Sequence, residues 1–416
     1  MKKRIISAVA ALLTITMTAG CTAREDDYNA PGDGMVIGKV EHTALNPIEV
    51  TDNNVLNSIR VFDLVSADKA NSMFSPLSLN MALGMLAEGA EGSSKEALDK
   101  YLGTDDYGAF AESYMKTVKE KYNVDTGYKG EYSNALEIAN SFWADKGFPF
   151  KSAYKHSLTQ KFGAEVRNLD FGNKNETLKE INGWVNDKTH KMIPSIISNY
   201  SEDLTAVLIN TVYFESGWSN DWYYNENNNK DAFTLLDGTS KELTLMRNGG
   251  NQYFENDRAT AFGFGYRNGL EFIGILPKET GDFTIESLDI PSLLASETYD
   301  YDVSAQMPRL TFDTSLPLME ALSAAGLSEL FGFGTADLSG ISDESLFVSE
   351  VLQKTRLELD ENGTRAAAVT EVFLADGAAM PVEREIKEVY LNRPFAFVIY
   401  DSAEDQIVFL GKVTEP

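Results

Sequence analysis

Cysteine is nearly absent: the 416 residues contain one, Cys21. No disulfide can close within the chain. Histidine is almost as scarce, with only His42, His156 and His190. No Cys/His zinc cluster can be assembled from these, and no H-E-x-x-H signature is present. The many carboxylates leave an acid-rich calcium site open, but no D-x-D-x-D-G loop appears. The expectation is therefore no metal and no cofactor. Basic residues are in deficit, 36 Lys and Arg against 63 Asp and Glu, for a formal net charge of −27. That is the wrong sign for a nucleic-acid surface, which needs a basic stripe. Anionic lipid would repel such a body for the same reason. Nucleotide and hydrolase signatures are missing too: no G-x-x-x-x-G-K-[ST] loop and no G-x-S-x-G elbow. What remains is ordinary for a globular protein, with 43% hydrophobic and 24% charged residues. This excludes disorder throughout, collagen repeats and a coiled-coil rod.

The N-terminus reads as an address. Lys2-Lys3-Arg4 precedes an apolar run from Ile5 to about Met17, then Thr18-Ala19-Gly20-Cys21. Basic, apolar, then small residues is a secretory signal pattern. The run is shorter than the about 20 residues of a bilayer span. The segment resembles a bacterial lipobox, departing from it at Thr18, where Leu is usual. That resemblance implies a signal peptide over 1–20 and lipidation of Cys21; an ordinary signal peptide cleaved nearby is the alternative. Loss of residues 1–20 takes three basic and no acidic residues from the 36 and 63, leaving −30. Residues 21–46 are rich in Asp, Glu, Gly and Pro and read as a solvated tether. From residue 47 to 416 the apolar pattern is unbroken, as expected of one large domain.

Along that domain, apolar spacing predicts helices over Asn54–Val65, Ser78–Glu88, Thr177–Ile193 and Leu316–Ala325, the last stopped by Gly326. Ser93-Ser94-Lys95-Glu96 reads as a capping box opening another helix. Strands are expected at Leu136–Trp143, Ala206–Phe214, Phe272–Leu276, Tyr301–Gln306, Val348–Asp360, Phe395–Tyr400 and Ile407–Val413. Ala206–Phe214, apolar on both faces, reads as a central strand. Helices early and strands late give an α+β class rather than regular βα alternation.

Catalytic constellations are weak. Ser152-Ala153-Tyr154-Lys155 matches S-x-x-K, the nucleophile motif of penicillin-recognising enzymes, but no K-T-G accompanies it. His156 and His190 lie in polar, helix-like surroundings and read as surface residues. The chain is not expected to be an enzyme.

One segment is too long for an ordinary connection. Asp360 to about Lys387 joins strands, yet loops beyond about 12–15 residues are usually functional or disordered. From Thr364 to Asp376 it has no Pro or Gly. At period two, one face is Thr364, Ala366, Ala368, Thr370, Val372 and Leu374, small and then apolar. Arg365, Val369 and Glu371 fall on the other face. It reads as a strand without a sheet; a surface helix nucleated at Ala366-Ala367-Ala368 is the alternative.

At this point the residues carry a resemblance. Asn71-Ser72-Met73-Phe74-Ser75-Pro76-Leu77-Ser78 is similar to the N-x-x-F-S-P-x-S opening of the serpins. Ordered blocks follow, among them Asn210-Thr211-Val212-Tyr213-Phe214-Glu215-Ser216-Gly217-Trp218, Met307-Pro308-Arg309-Leu310, Glu361-x-Gly363-Thr364-x-Ala366-Ala367-Ala368, Arg393-Pro394-Phe395 and Phe409-Leu410-Gly411-Lys412-Val413. They cover about residues 47–416. The resemblance implies three β-sheets, eight or nine helices and an exposed reactive-centre loop that a target protease cuts. The cut loop then inserts into the main sheet and traps the acyl-enzyme.

Residue by residue, the resemblance implies a hinge of Glu361, Gly363, Thr364, Ala366, Ala367 and Ala368, with Arg309 pairing the glutamate. Ser75, Ser78 and Asn210 match the polar shutter, and Trp218 marks where insertion begins. Gln353 stands where the family usually has His, but it still donates and accepts hydrogen bonds. The scissile residue, about 16 positions after the hinge glutamate, falls at Gly377, next to Ala378, with Ala375 and Asp376 as neighbours. Small residues there suit an elastase-like or subtilisin-like serine protease. The resulting expectation is an extracellular, lipid-anchored, monomeric inhibitor whose partner is a serine protease and whose only membrane contact is the anchor. A non-inhibitory carrier of the same family and, third, a penicillin-recognising-type enzyme at Ser152 are the rivals.

Overall fold

The computed structural model describes residues 34–37, 45–123, 134–200, 204, 206–227, 230–332, 334–349, 351–364 and 384–416. Cys21, the signal-like segment, Ala366 to Ala368 and the candidate scissile residues Ala375 to Ala378 lie outside them. Among the described residues there are eight α-helices, two six-stranded sheets, one four-stranded sheet and one two-stranded pairing. The class is α+β, and the three larger sheets match the number implied by the resemblance.

The main sheet runs in the order Leu310–Pro317, Leu352–Leu359, Gly363–Thr364, Ala206–Gly217, Ala135–Asp145, Glu165–Leu169. Ala206–Gly217 is covered on both faces, which explains its double apolar pattern. One face meets the Lys174–Lys188 helix, where Ile181, Trp184 and Val185 pack with Val207 and Ile209. Beneath the other face lies the Pro76–Ala87 helix, buried at every position. That helix has no charged residue, as a fully enclosed helix requires. Ser75 caps it by accepting from the Ser78 N–H, and Pro76 occupies the first turn, where its missing donor costs nothing.

Several boundaries differ from the sequence expectation, among them the strand expected from Val348, which begins at Leu352. The helix expected to open with a cap at Ser93 spans Gly92–Leu102; Glu91 stands at its cap position without a side-chain hydrogen bond, and the Ser94 hydroxyl accepts from the Asp337 N–H. Leu316 belongs to a strand, Leu310–Pro317, whose inward Leu310, Phe312, Thr314 and Leu316 alternate; Met319–Leu322 is helical and Gly326 ends that region at φ 83°. The helix expected to reach Ile193 stops at Lys188, and the Thr189 hydroxyl accepts from the Ile193 N–H. His190 and Lys191 then turn the chain with positive φ.

The tether reading also needs a local correction. Met35–Ile37 forms a parallel pairing with Ile197–Tyr200. The Met35 N–H donates to the Ile196 carbonyl at 2.9 Å, and its side chain packs on the Trp143–Trp184 cluster. Composition alone missed it, because the strand is three residues long and only Met35 is needed to anchor it to the cluster.

Topology places the long segment between two sheets. Gly363–Thr364 ends in the main sheet, and Ile386–Tyr390 is the edge strand of the four-stranded sheet, order Ile386–Tyr390, Asp302–Pro308, Ser240–Gly250, Lys230–Thr234.

Candidate functional site

Leu359 and Thr364 are joined by a tight turn built by Asp360. Its carboxylate accepts from the N–H groups of Asn362 (2.8 Å) and Gly363 (3.3 Å), and its own N–H donates to the Gly363 carbonyl at 2.9 Å. Gly363 then passes against the end of Ala206–Gly217. A Cβ there would sit 2.4 Å from the Ser216 carbonyl oxygen, so no other residue fits without backbone movement.

Glu361 faces out and is held by a two-pronged ion pair with Arg309, whose Nε lies 2.8 Å from Oε2. The same guanidinium lies 3.7 Å over the Tyr224 ring. Trp218 is fully buried; its Nε1–H donates to the Asp360 carbonyl at 2.8 Å, and its N–H to the Asn362 carbonyl at 3.1 Å. The Trp222 N–H donates to the Glu361 carbonyl. Glu361, Gly363, Thr364, Trp218 and Arg309 are thus brought into one cluster at the top of the sheet.

Thr364 is the last described residue before position 384, and it is already a sheet residue. It pairs with Leu359 on one side and Ser216 on the other, both antiparallel. Its side chain is 1% exposed, pointing inward, and its hydroxyl lies 2.6 Å from the Tyr266 hydroxyl. Burial holds the Tyr266 phenol far above its ordinary pKa, so it stays neutral. Below Thr364, Ala206–Gly217 and Leu352–Leu359 run parallel to each other with no ladder between them among the described residues. The common neighbour Thr364 sets their register: Ser216 is level with Leu359, and Asn210 therefore with Gln353.

Asn210 and Gln353 face each other across the shutter. Gln353 replaces a backbone partner: its Oε1 accepts from the Ser75 N–H at 2.7 Å and its Nε2–H donates to the Ser75 carbonyl at 3.0 Å. The Ser75 hydroxyl donates to the Val408 carbonyl at 2.6 Å. The Ser78 hydroxyl bonds Asn210 Oδ1, Asn210 Nδ2 bonds Asn140 Oδ1, and Asn140 Nδ2–H donates to the Phe162 carbonyl at 2.8 Å. This buried relay links both strands bordering the slot to one helix start, so every polar group in it has a partner. Beside it is a narrow cleft lined by Leu208, Asn210, Val351, Leu352 and Gln353 above Leu79, Ala82 and Leu83.

Asn140 and Tyr266 belong to the site but were not singled out from the sequence. Asn140 had a signal: it interrupts the inward series Leu136, Ile138, Phe142 of its strand. Tyr266 had none, since only the fold brings it to Thr364. Ser152 and Lys155 are not brought to any such cluster. Ser152 is exposed at the start of the Ser152–Phe162 helix, and the Lys155 amine lies over the Phe150 ring at 5.0 Å. His156 and His190 are both exposed; His190 bonds Glu137 at 3.0 Å and stacks on Tyr213. Among the described residues no group of three His, Cys, Asp or Glu is placed to hold a metal, and no helix is long and apolar enough to cross a membrane.

The family profile described as Serpin (serine protease inhibitor) matches residues 53–416. The chain belongs to the serpin family. Among its relatives, Iripin-8 of Ixodes ricinus is 31% identical over 87% of this chain and 92% of its own. Leukocyte elastase inhibitor A of Mus musculus is 28% identical over 88% of this chain and 100% of its own. Among solved structures, the thermophilic serpin tengpin in its native state aligns with a TM-score of 0.76 at 29% identity, covering 91% of this chain and 99% of tengpin. Serpins are in general inhibitors rather than catalysts.

Proposed function

We propose that this serpin is a suicide-substrate inhibitor of serine proteases that traps the acyl-enzyme by inserting the segment after Thr364 into the main sheet. The observation that carries this reading is the position of Thr364, already hydrogen-bonded between two parallel strands that are not paired with each other below it. Continuing its register by period two brings Ala366 level with Phe214 and Leu357, Ala368 with Val212 and Thr355, and Thr370 with Asn210 and Gln353. Val372 then meets Leu208 and Val351. Small residues pass first, a hydroxyl arrives at the polar shutter, and a valine arrives at the apolar part of the cleft. Leu208 and Val212 are only half-buried on this inner face, so insertion covers apolar surface worth about 25 cal/mol per Å². A carrier role leaves that match of sequence to slot without a purpose.

The cut falls at Gly377 or Ala378, or at the neighbours Ala375 and Asp376, in an elastase-like or subtilisin-like target. The segment has no Lys or Arg between Arg365 and Arg384, so a trypsin-type acidic pocket finds no partner. The name of the mouse relative points to the same target class. Cys21 as a lipid attachment site, an extracellular location and a monomeric state complete the reading; the lipobox-like run supports the first two. The deciding experiment incubates the protein with elastase-type, subtilisin-type and trypsin-type proteases, then runs denaturing gels with mass spectrometry of the released peptide. Stable complexes with the first two and a peptide beginning at residues 376–379 are expected. A trapped trypsin complex, or a peptide beginning at Glu385, overturns the assigned bond; complete turnover without any stable complex overturns the inhibitor reading.

A further inference from the structure

Two of the few large apolar side chains exposed among the described residues sit at one end of the four-stranded sheet. Ile386 is 64% exposed and Tyr299 is 51% exposed. The strands Asp302–Pro308 and Ile386–Tyr390 are parallel, with Asp302 opposite Ile386. Both chains therefore enter the sheet from the same end, one from the loop carrying Tyr299, the other from the segment ending at Arg384. Tyr299 is fixed in place, its hydroxyl donating to Glu297 at 2.6 Å while Gln252 holds the same carboxylate. Asp302 lies opposite Ile386, exposed Asp300 follows Tyr299, and exposed Glu388 and Arg384 lie two residues to either side of Ile386, so acids outnumber bases around the two apolar groups. The nearest base, Lys387, is occupied by Glu385 at 2.7 Å and by the Tyr301 ring at 4.4 Å.

We propose that Tyr299 and Ile386, ringed by these acids, form a second contact site for the target protease, fitted to a basic surface next to its substrate cleft. This rests on the inhibitor reading above. The occupant follows from reach and charge. Eight residues separate Ala378 from Ile386, which can span at most about 26–29 Å. A protease domain of ~200 residues has a radius of gyration of roughly 17 Å, so one seated on the cut site extends over this end of the sheet. An apolar centre with a charged rim is the composition of a protein contact, and rim charges act chiefly on association rate.

The test measures second-order inhibition rates against a strongly cationic elastase-type protease and a near-neutral subtilisin-type protease. The variants are Tyr299→Ser, Ile386→Ser and the pair Asp300→Asn with Asp302→Asn. Leu236→Ser is the control, an exposed apolar change on the hairpin at the opposite end of the sheet. Each site variant is expected to slow the cationic enzyme about 3- to 10-fold and the neutral one less than about 2-fold, with complex yield and melting temperature unchanged. The control should leave both rates alone. If Ile386→Ser lowers the melting temperature, the loop pair Asp300→Asn with Asp302→Asn carries the test. Unchanged rates with stable complexes still forming overturn the contact site and leave the inhibitor reading intact. Equal slowing of both enzymes overturns the basic partner. A wild-type protein that forms no stable complex with either enzyme overturns the inhibitor reading and this site with it.

Discussion

Thr364 shows at the residue scale how little side-chain change separates inhibitor from substrate. It is inward-facing, 1% exposed and bonded to a buried phenol. Thr364→Arg would force a guanidinium into a space with no anionic partner, at a cost of several kcal/mol that the uncut fold can escape by releasing position 364 from the sheet and full insertion cannot. The variant is expected to be cut at the wild-type bond but to release active protease; complexes at wild-type yield would show that Thr364 does not gate insertion. A second residue-scale effect concerns Asp63. Burial pushes its carboxyl up to about 6, while the N–H groups of Glu286 and Ile285 and the Lys412 amine pull the other way. A raised carboxylate pKa means the folded state binds the proton more tightly than the unfolded chain. The stabilisation is full below the unfolded pKa of about 4 and is lost as pH rises through about 6. Asp63→Asn should therefore gain about 1 kcal/mol relative to wild type between pH 5 and pH 7.5 in urea unfolding. A difference that stays constant with pH would contradict the assignment.

Elements show what could and could not be read from the chain itself. The strand read at Ala206–Phe214 and the helix read at Ser78–Glu88, observed as Ala206–Gly217 and Pro76–Ala87, were legible because apolar residues fall on both faces of each. Strand-competence after Thr364 was legible because period two is local. The ion pair of Glu361 with Arg309 and the shutter pairing of Gln353 were reached only through family resemblance, since nothing local joins residues so far apart in sequence. The contact of Thr364 with Tyr266 and the strand Met35–Ile37 were not legible at all, because each depends on a surface that exists only after folding. The same two-strand geometry around Thr364 sets an element-scale prediction. If the sheet can take up another strand, the uncut form is a local minimum held by a barrier and not the lowest free-energy state of the chain. Nicking within residues 371–380 is expected to raise the melting temperature. A midpoint that is unchanged or lower after limited proteolysis would mean that the loop does not insert.

Charge acts over the whole molecule and independently of any single contact. The chain carries 36 basic residues against 63 acidic ones, a net −27. Surface pairs such as Lys230 with Glu242 and Lys146 with Asp170 add no net charge and leave this acidic excess uncompensated, and exposed pairs add little stability. The uncompensated remainder sets up a field that reaches about 8–10 Å at physiological salt and about 30 Å at 0.01 M. Basic proteases should be drawn in by it and acidic ones held off, with association rates raised about 10- to 1,000-fold at low salt. This long-range term differs from the local site at Tyr299 and Ile386, because neutralising two carboxylates of about thirty in excess barely changes it. Wild type and the Asp300→Asn, Asp302→Asn pair should therefore share a steep fall in rate against a cationic protease as salt rises from about 0.02 M to 0.5 M. Stopped-flow inhibition across that range measures the slope. A flat profile for wild type would remove steering as a determinant of target choice, while leaving the proposed inhibitor function untouched.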